Sequence, residues 1–287
     1  MDIQSKRLIV RTAFFLLFVF APVFDIFRFD LNLNHFIIFG NAWTLGTESF
    51  RSADISNYQI LIEMLIYFLL PLLALIAGFI FIARKWGRIY CGWLCPHFSI
   101  VELINKLMRQ SSGKLSVWDK KLANKQQQDG TQVIPNKKYW VLTVLTALVF
   151  AFIWAVALLT YLLPPSEIYS NLLTGNLTIN QFRFIAVASF LFSIEFLFAR
   201  HLFCRFGCAI GLFQSLAWMG NKNAMVIQFD KSRSNECLKC DSSCDIACPM
   251  RLKTRSPKRH KFTCTQCLKC VQACNNTKSD KQGLLKL

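Results

Sequence analysis

Four apolar runs constrain what this chain can become. They lie at about 8–24, 59–83, 139–163 and 182–203, and crossing a hydrocarbon core takes roughly 20 apolar residues. Backbone polar groups have no water to bond with at that depth, so such runs must be helices. The first run is the shortest and follows Lys6, Arg7 and Arg11. The bulky stretch "APVFDIFRFD" behind it has no small-residue cleavage site, so it reads as a retained anchor and not a removed signal peptide. The composition agrees: 54% of residues are apolar, 27 of them Phe, too many for an ordinary soluble domain.

A net charge of +17 raises the question of nucleic acid, and its distribution answers it. Lys and Arg crowd the segment before the first run, the 84–138 loop and residues 200–287; the 25–58 and 164–181 loops are nearly bare of them. That alternation is the positive-inside pattern of four spans with both termini cytoplasmic. It excludes nucleic acid as a partner and leaves anionic membrane lipid as one. A bacterial inner membrane is the expected location.

This topology puts all twelve cysteines at or beyond the cytoplasmic span ends. Disulfides are rare there, so the pattern reads as metal binding. The tail carries two near-copies, Cys237-x2-Cys240-x3-Cys244-x3-Cys248-Pro249 and Cys264-x2-Cys267-x2-Cys270-x3-Cys274. Three thiolates at such spacing wrap one corner of a cubane, and the fourth ligates the neighbouring cluster. One [4Fe-4S] cluster then takes Cys237, Cys240, Cys244 and Cys274; the other takes Cys264, Cys267, Cys270 and Cys248. Zinc knuckles are the bland alternative. The extra residue in the first copy and the Cys274-Asn275 ending leave a [3Fe-4S] or less regular cluster open. Between the copies, "MRLKTRSPKRHKFT" reads as a solvated loop or as a docking face for an acidic partner. The few apolar residues in 235–287 suit a small domain, 221–287, held together by its metal and not by a core.

The membrane part, 1–220, repeats itself weakly. "ARKWGRIYCGWLCPHFSIVELINKLM" and "ARHLFCRFGCAIGLFQSLAWMG" each run from Ala-Arg to Cys-x3-Cys and then an apolar stretch. Pro96 suits the first turn of a helix, and Phe98, Val101, Ile104 and Met108 follow at helical spacing. That predicts an interfacial helix with the cysteine pair at its start. If Cys91, Cys95, Cys204 and Cys208 meet, they offer four soft ligands for a third cluster or a copper ion. Small buried packing residues, or a reversible dithiol, are the other readings.

Taken together, "CGWLCP", "FCRFGC" and the paired ferredoxin cysteines on four spans resemble the membrane-bound polyferredoxins of the NapH, CcoG and NosR type, with NapH nearest in architecture. Ala209 departs from the Cys-Pro of the second motif. The resemblance implies an α-helical integral membrane protein. It has four transmembrane helices, interfacial helices and a small C-terminal ferredoxin-like α+β domain with two [4Fe-4S] clusters. It also implies electron transfer between the quinol or menaquinol pool and a periplasmic or cytoplasmic redox partner protein. A metal-handling accessory role, such as Cu(II) reduction or oxidase assembly, and an iron–sulfur redox sensor are the alternatives.

Quinol oxidation needs an acceptor for protons. Glu63 and Glu195 lie inside apolar runs, where ionisable groups are costly and functional by default. Glu195 precedes Cys204 by nine residues, about 13 Å along a helix. His97 and His201 flank the two membrane cysteine pairs at matching places, each able to take a proton or ligate metal. Interhelical hydrogen bonding, snorkelling and interfacial anchoring are the competing roles for these four residues.

Overall fold

The computed structural model describes residues 2–44, 57–114, 116–119, 134–237, 240, 242–277 and 282–287. Parts of the loops read above, 45–56 and 120–133, lie outside the described residues. In chain order the elements begin with α1 (Ile3–Phe20), β1 (Phe27–Asp30), β2 (His35–Ile38), β3 (Asn41–Trp43) and α2 (Tyr58–Trp86). Next come α3 (Ile89–Trp93), α4 (Pro96–Ser112), α5 (Lys138–Thr160), α6 (Pro165–Thr174) and α7 (Ile179–Ala199). The chain ends with α8 (Ala209–Met219), β4 (Gln228–Phe229), α9 (Ser243–Ile246), α10 (Lys269–Asn276) and β5 (Leu285–Lys286).

Among the described residues, α2, α5 and α7 are long and apolar enough to cross a membrane. The first apolar run behaves differently from a plain anchor. Its helix begins at Ile3, and Arg7 and Arg11 in its opening turns are buried against protein.

The chain divides into two compact units. One, the hairpin unit, comprises Leu16–Phe81 and Val149–Phe192. The stretch "FDLNLNHFIIFG" forms an antiparallel sheet here, β1–β2–β3, with Phe29 opposite Phe36 and Ile37 opposite Ala42. Asn34 takes the left-handed conformation of the turn at φ 57°. Arg28 closes the sheet's end by pairing with Asp25 at 2.6 Å and Asp30 at 2.7 Å. The Phe29 and Leu31 amides donate to the Tyr161 and Leu162 carbonyls just past α5, which fixes the sheet to that helix end. Beneath lies a core of Ala155, Val156, Leu159, Ile168 and Ile185.

The other, the cysteine unit, comprises Met1–Phe15, Ile82–Leu148 and Ser193–Leu287. All twelve cysteines belong to it, and residues 221–287 pack in the same unit as the inner stretches of the membrane part. Pro96 opens α4 at its first position with Cys95 as the cap, and Gly113 ends it at φ 68°. Phe98, Val101, Ile104 and Met108 are buried, as their spacing predicts, and so is Glu102 between them. In α8, Ala209 takes the place Pro96 holds in α4, with Cys208 as cap. The missing proline therefore leaves the helix start intact.

The tail has the layout expected of a small metal-held domain. β4 pairs antiparallel with β5, and the short helices α9 and α10 each carry the third cysteine of a repeat. The basic run 250–263 is not a solvated loop. Met250, Thr254, Lys261 and Thr263 are buried. Lys258 lies 4.9 Å over the Trp218 ring and donates to its carbonyl at 2.8 Å. Lys261 donates to the Ile227 carbonyl at 2.6 Å, and Arg251 pairs with Asp119. Lys258 and Lys261 are thus turned inward to cap carbonyls, and Lys258 covers aromatic surface, while Lys253 and Arg259 stay exposed.

Candidate metal centres

The helix–turn junctions place the cysteines. Cys91 sits in the five-residue helix α3 and Cys95 caps α4, so the pair spans one tight turn. On the other side, α7 ends in a π turn over Glu195–Ala199, and a second π turn covers Phe203–Gly207. Between them Arg200 is held at φ 43°, a conformation disfavoured for a residue with a side chain. This strained break re-aims the chain so that Cys204 comes within electrostatic reach of Cys95, Cys91 and Cys208. Cys95 and Cys204, one from each Cys-x3-Cys pair, pack against the same buried apolar cluster.

The tail cysteines fall into two groups. Cys248, Cys264, Cys267 and Cys270 line one pocket, walled by Met250, Leu252 and Lys261. Cys274 lies near Cys244 in the neighbouring apolar cluster, against which Cys237 also packs. Cys240 follows Cys237 in one turn, its amide donating to the Cys237 carbonyl at 3.2 Å. Cys248 lies with the second repeat around that pocket and Cys274 lies near Cys244, while Cys270 and Cys264 touch both groups. Among the described residues, no three His, Cys, Asp or Glu side chains converge tightly enough to chelate one bare ion.

The donor set and its walls fit a thiolate-held cluster. Backbone amides already point at sulfur: Leu252 N–H at Cys248 Sγ, 3.4 Å, and Leu284 N–H at Cys274 Sγ, 3.3 Å. Gln266 and Leu268, between the ligands of the second repeat, take left-handed φ values of 51° and 59°. Such turns align successive N–H groups into an anion-binding concavity. Burial pushes the Cys248 thiol up to about 12 and Cys264 to about 11, so metal binding there must displace protons.

The two cysteine regions touch through apolar side chains. Phe98, Met250 and Leu252 form one buried cluster, and Cys95, Cys204, Cys248 and Cys264 all pack against it. Arg88 is buried at the same junction. Its guanidinium loses solvation there, and the strongest opposing groups are the sulfurs of Cys91, Cys208, Cys204 and Cys264.

The quinol-handling candidates separate on inspection. His97 Nε2 lies 2.7 Å from Glu195 Oε1, both side chains largely buried. The His97 ring stacks on Phe196 at 5.2 Å and leans on Phe203 at 5.5 Å. Glu195 is also within electrostatic reach of Cys204. His201 does not match His97: it is buried in the company of Arg251, Arg200 and Arg205. Glu63 belongs to the hairpin unit, half-buried on α2.

Sequence reasoning passed over Arg7, Arg11, Arg88, Glu102 and Lys269. The signal was present for Glu102, the one acidic residue of the stretch 97–109. Arg88, three residues before Cys91, carried no such mark.

The family described as "4Fe-4S binding domain" matches residues 67–114 and 180–224, and each segment contains one Cys-x3-Cys pair. Across most of its length the chain is similar to an uncharacterised protein of Methanocaldococcus jannaschii, 24% identical over 95% of this chain and 92% of that one. It is also similar to the regulatory protein NosR of Stutzerimonas stutzeri, 24% identical over 67% of this chain and 24% of NosR. A third relative is the Escherichia coli protein named "Putative electron transport protein YccM", 27% identical over 70% of this chain and 52% of YccM. The chain thus spans about half of YccM and a quarter of NosR. No solved structure matches it.

Proposed function

We propose that this chain is a membrane-bound iron–sulfur protein passing electrons between the quinol pool, menaquinol included, and a partner redox protein. Four spans with both termini on the inner side of a bacterial cytoplasmic membrane, in a NapH-type arrangement, complete the reading. The observation that carries it is the shared seam: sulfurs of the membrane pairs and of the ferredoxin repeats pack on the same Phe98–Met250–Leu252 cluster. The match of a 4Fe-4S family to both membrane segments, and the electron-transport name of YccM, point the same way.

In this reading Cys237, Cys240, Cys244 and Cys274 hold one [4Fe-4S] cluster, and Cys264, Cys267, Cys270 and Cys248 the other. Cys91, Cys95, Cys204 and Cys208 hold a third. When bound, such clusters take up and release one electron at a time. Each quinol oxidised to quinone releases two electrons and two protons. Glu195, held 2.7 Å from His97 at the end of α7, is the proton acceptor. The aromatic wall of Phe196 and Phe203 supplies the apolar flank a quinone ring requires.

The deciding experiment is anaerobic purification with iron and sulfide quantitation and EPR, before and after a reduced menaquinol analogue is added. About twelve irons per chain, with signals that quinol reduces, is the expected result. About eight would leave the membrane pairs empty. Full clusters that never respond to quinol would replace this reading with the sensor or metal-handling role.

A further inference from the structure

Arg88 is buried to 1% exposure at the start of α3, which makes the disposition of its charge a question the fold must answer. Nε donates to Ser215 Oγ at 2.5 Å, and Nη1 donates to the Cys204 carbonyl at 2.8 Å. Ser215 Oγ–H in turn donates a hydrogen bond to the Phe262 carbonyl at 2.5 Å, so that proton is engaged. Nη2 is buried with no partner among the described residues. No described carboxylate is paired with the guanidinium; all its bonding partners are neutral oxygens.

A guanidinium stays charged in any protein, and an unpaired charge in a water-free site is strongly unfavourable. The ionisable groups within its electrostatic reach are cysteines: Cys91, Cys208, Cys204 and Cys264. As neutral thiols they offset nothing. As thiolates around a metal centre they supply the negative charge that the site lacks.

We infer that Arg88 is the built-in counter-ion of an anionic, thiolate-ligated centre held by Cys91, Cys95, Cys204 and Cys208. This rests on the proposal above that those four sulfurs hold a cluster. Gly211 fits the same design, since a Cβ there would stand 3.0 Å from Arg88 Nη1 and displace it. The choice of arginine follows from shape: two of its three nitrogens are bonded to protein oxygens, and Nη2 is left without a hydrogen-bond partner among the described residues. A fixed cation favours the more reduced, more negative state of a centre beside it, so Arg88 raises that centre's midpoint potential. The reach of Arg88 to Cys264 extends a weaker effect of the same sign to the neighbouring tail site.

The test uses the full-length protein, purified anaerobically, with iron and sulfide content and an EPR-monitored redox titration as readouts. The Cys91→Ser/Cys204→Ser double variant should lose one centre, about a third of the iron. Arg88→Gln should shift the midpoint of that same centre to more negative potential, and Arg88→Lys should return most of the shift. Loss of that centre alone in Arg88→Gln, with retention in Arg88→Lys, would also support the inference. Unmoved midpoints in Arg88→Gln at full iron content would overturn it. So would equal loss of the centre in Gln and Lys variants, which would mark a packing role. If the double cysteine variant changed neither iron nor spectrum, the underlying proposal would fall, and the inference with it.

Discussion

Glu102 meets three cations drawn from distant parts of the chain. Arg7 reaches it with Nη2 at 2.9 Å, Arg11 pairs with the same oxygen, and Lys269 closes on the other at 2.5 Å. Burial alone would raise this carboxyl. Lys269, Arg7 and Arg11 outweigh burial and hold it down at about 2. A depressed carboxylate contributes stability above its ordinary value near 4.5, and that contribution is lost as pH falls toward 2. Glu102→Gln should therefore destabilise the protein at neutral pH by about 3 kcal/mol, because it strands buried cations. Thermal unfolding in detergent between pH 7 and pH 3 checks this, and the gap between variant and parent should narrow at the acid end.

At the scale of elements, the short helix α3 shows what the local sequence disclosed and what it hid. Helix α4 was legible because Pro96 marked its start and the apolar spacing its buried face. Nothing local announced that α3 lies against the ferredoxin turn, because that contact joins residues far apart in the chain. Gly92 records it: a Cβ there would stand 2.0 Å from the Thr265 carbonyl oxygen. Trp93 Nε1 donates to the Gln266 carbonyl at 3.0 Å alongside. Gly92→Ala should thus pry apart the packing around the second repeat and cost the protein iron during purification. Gly78→Ala, where nothing lies within 4 Å, should leave iron content unchanged. The inward turn of the basic run was hidden for the same reason. Charge alone says solvent, and only Trp218 and the Ile227 carbonyl, both distant in sequence, make the opposite choice favourable.

For the whole molecule, all twelve cysteines fall in one of the two compact units. Cysteine spacing alone suggested how the tail groups cross, and Cys248 lies with Cys264, Cys267 and Cys270 around one space. Cys248→Ser should then abolish the same EPR signal as Cys267→Ser, while Cys274→Ser should match Cys244→Ser. The reverse correspondence would mean that each repeat keeps its own four ligands. What the sequence could not disclose was the company each ionisable group keeps. His97 and His201 look equivalent along the chain, yet one meets a carboxylate and the other a set of arginines.

The opening turns of α1 are fastened to the closing ferredoxin repeat. Gln4 Nε2 donates to the Cys267 carbonyl at 2.9 Å, Gln272 reaches Asp2, and Arg7 Nε holds the Gly92 carbonyl at 2.7 Å. The segment a ribosome makes early is thus latched by one it makes late, so assembly finishes only when both have been delivered. Affinity handles for purification therefore belong beside Leu287, which is 56% exposed, and not ahead of Asp2, where a bulky fusion would pull on that latch.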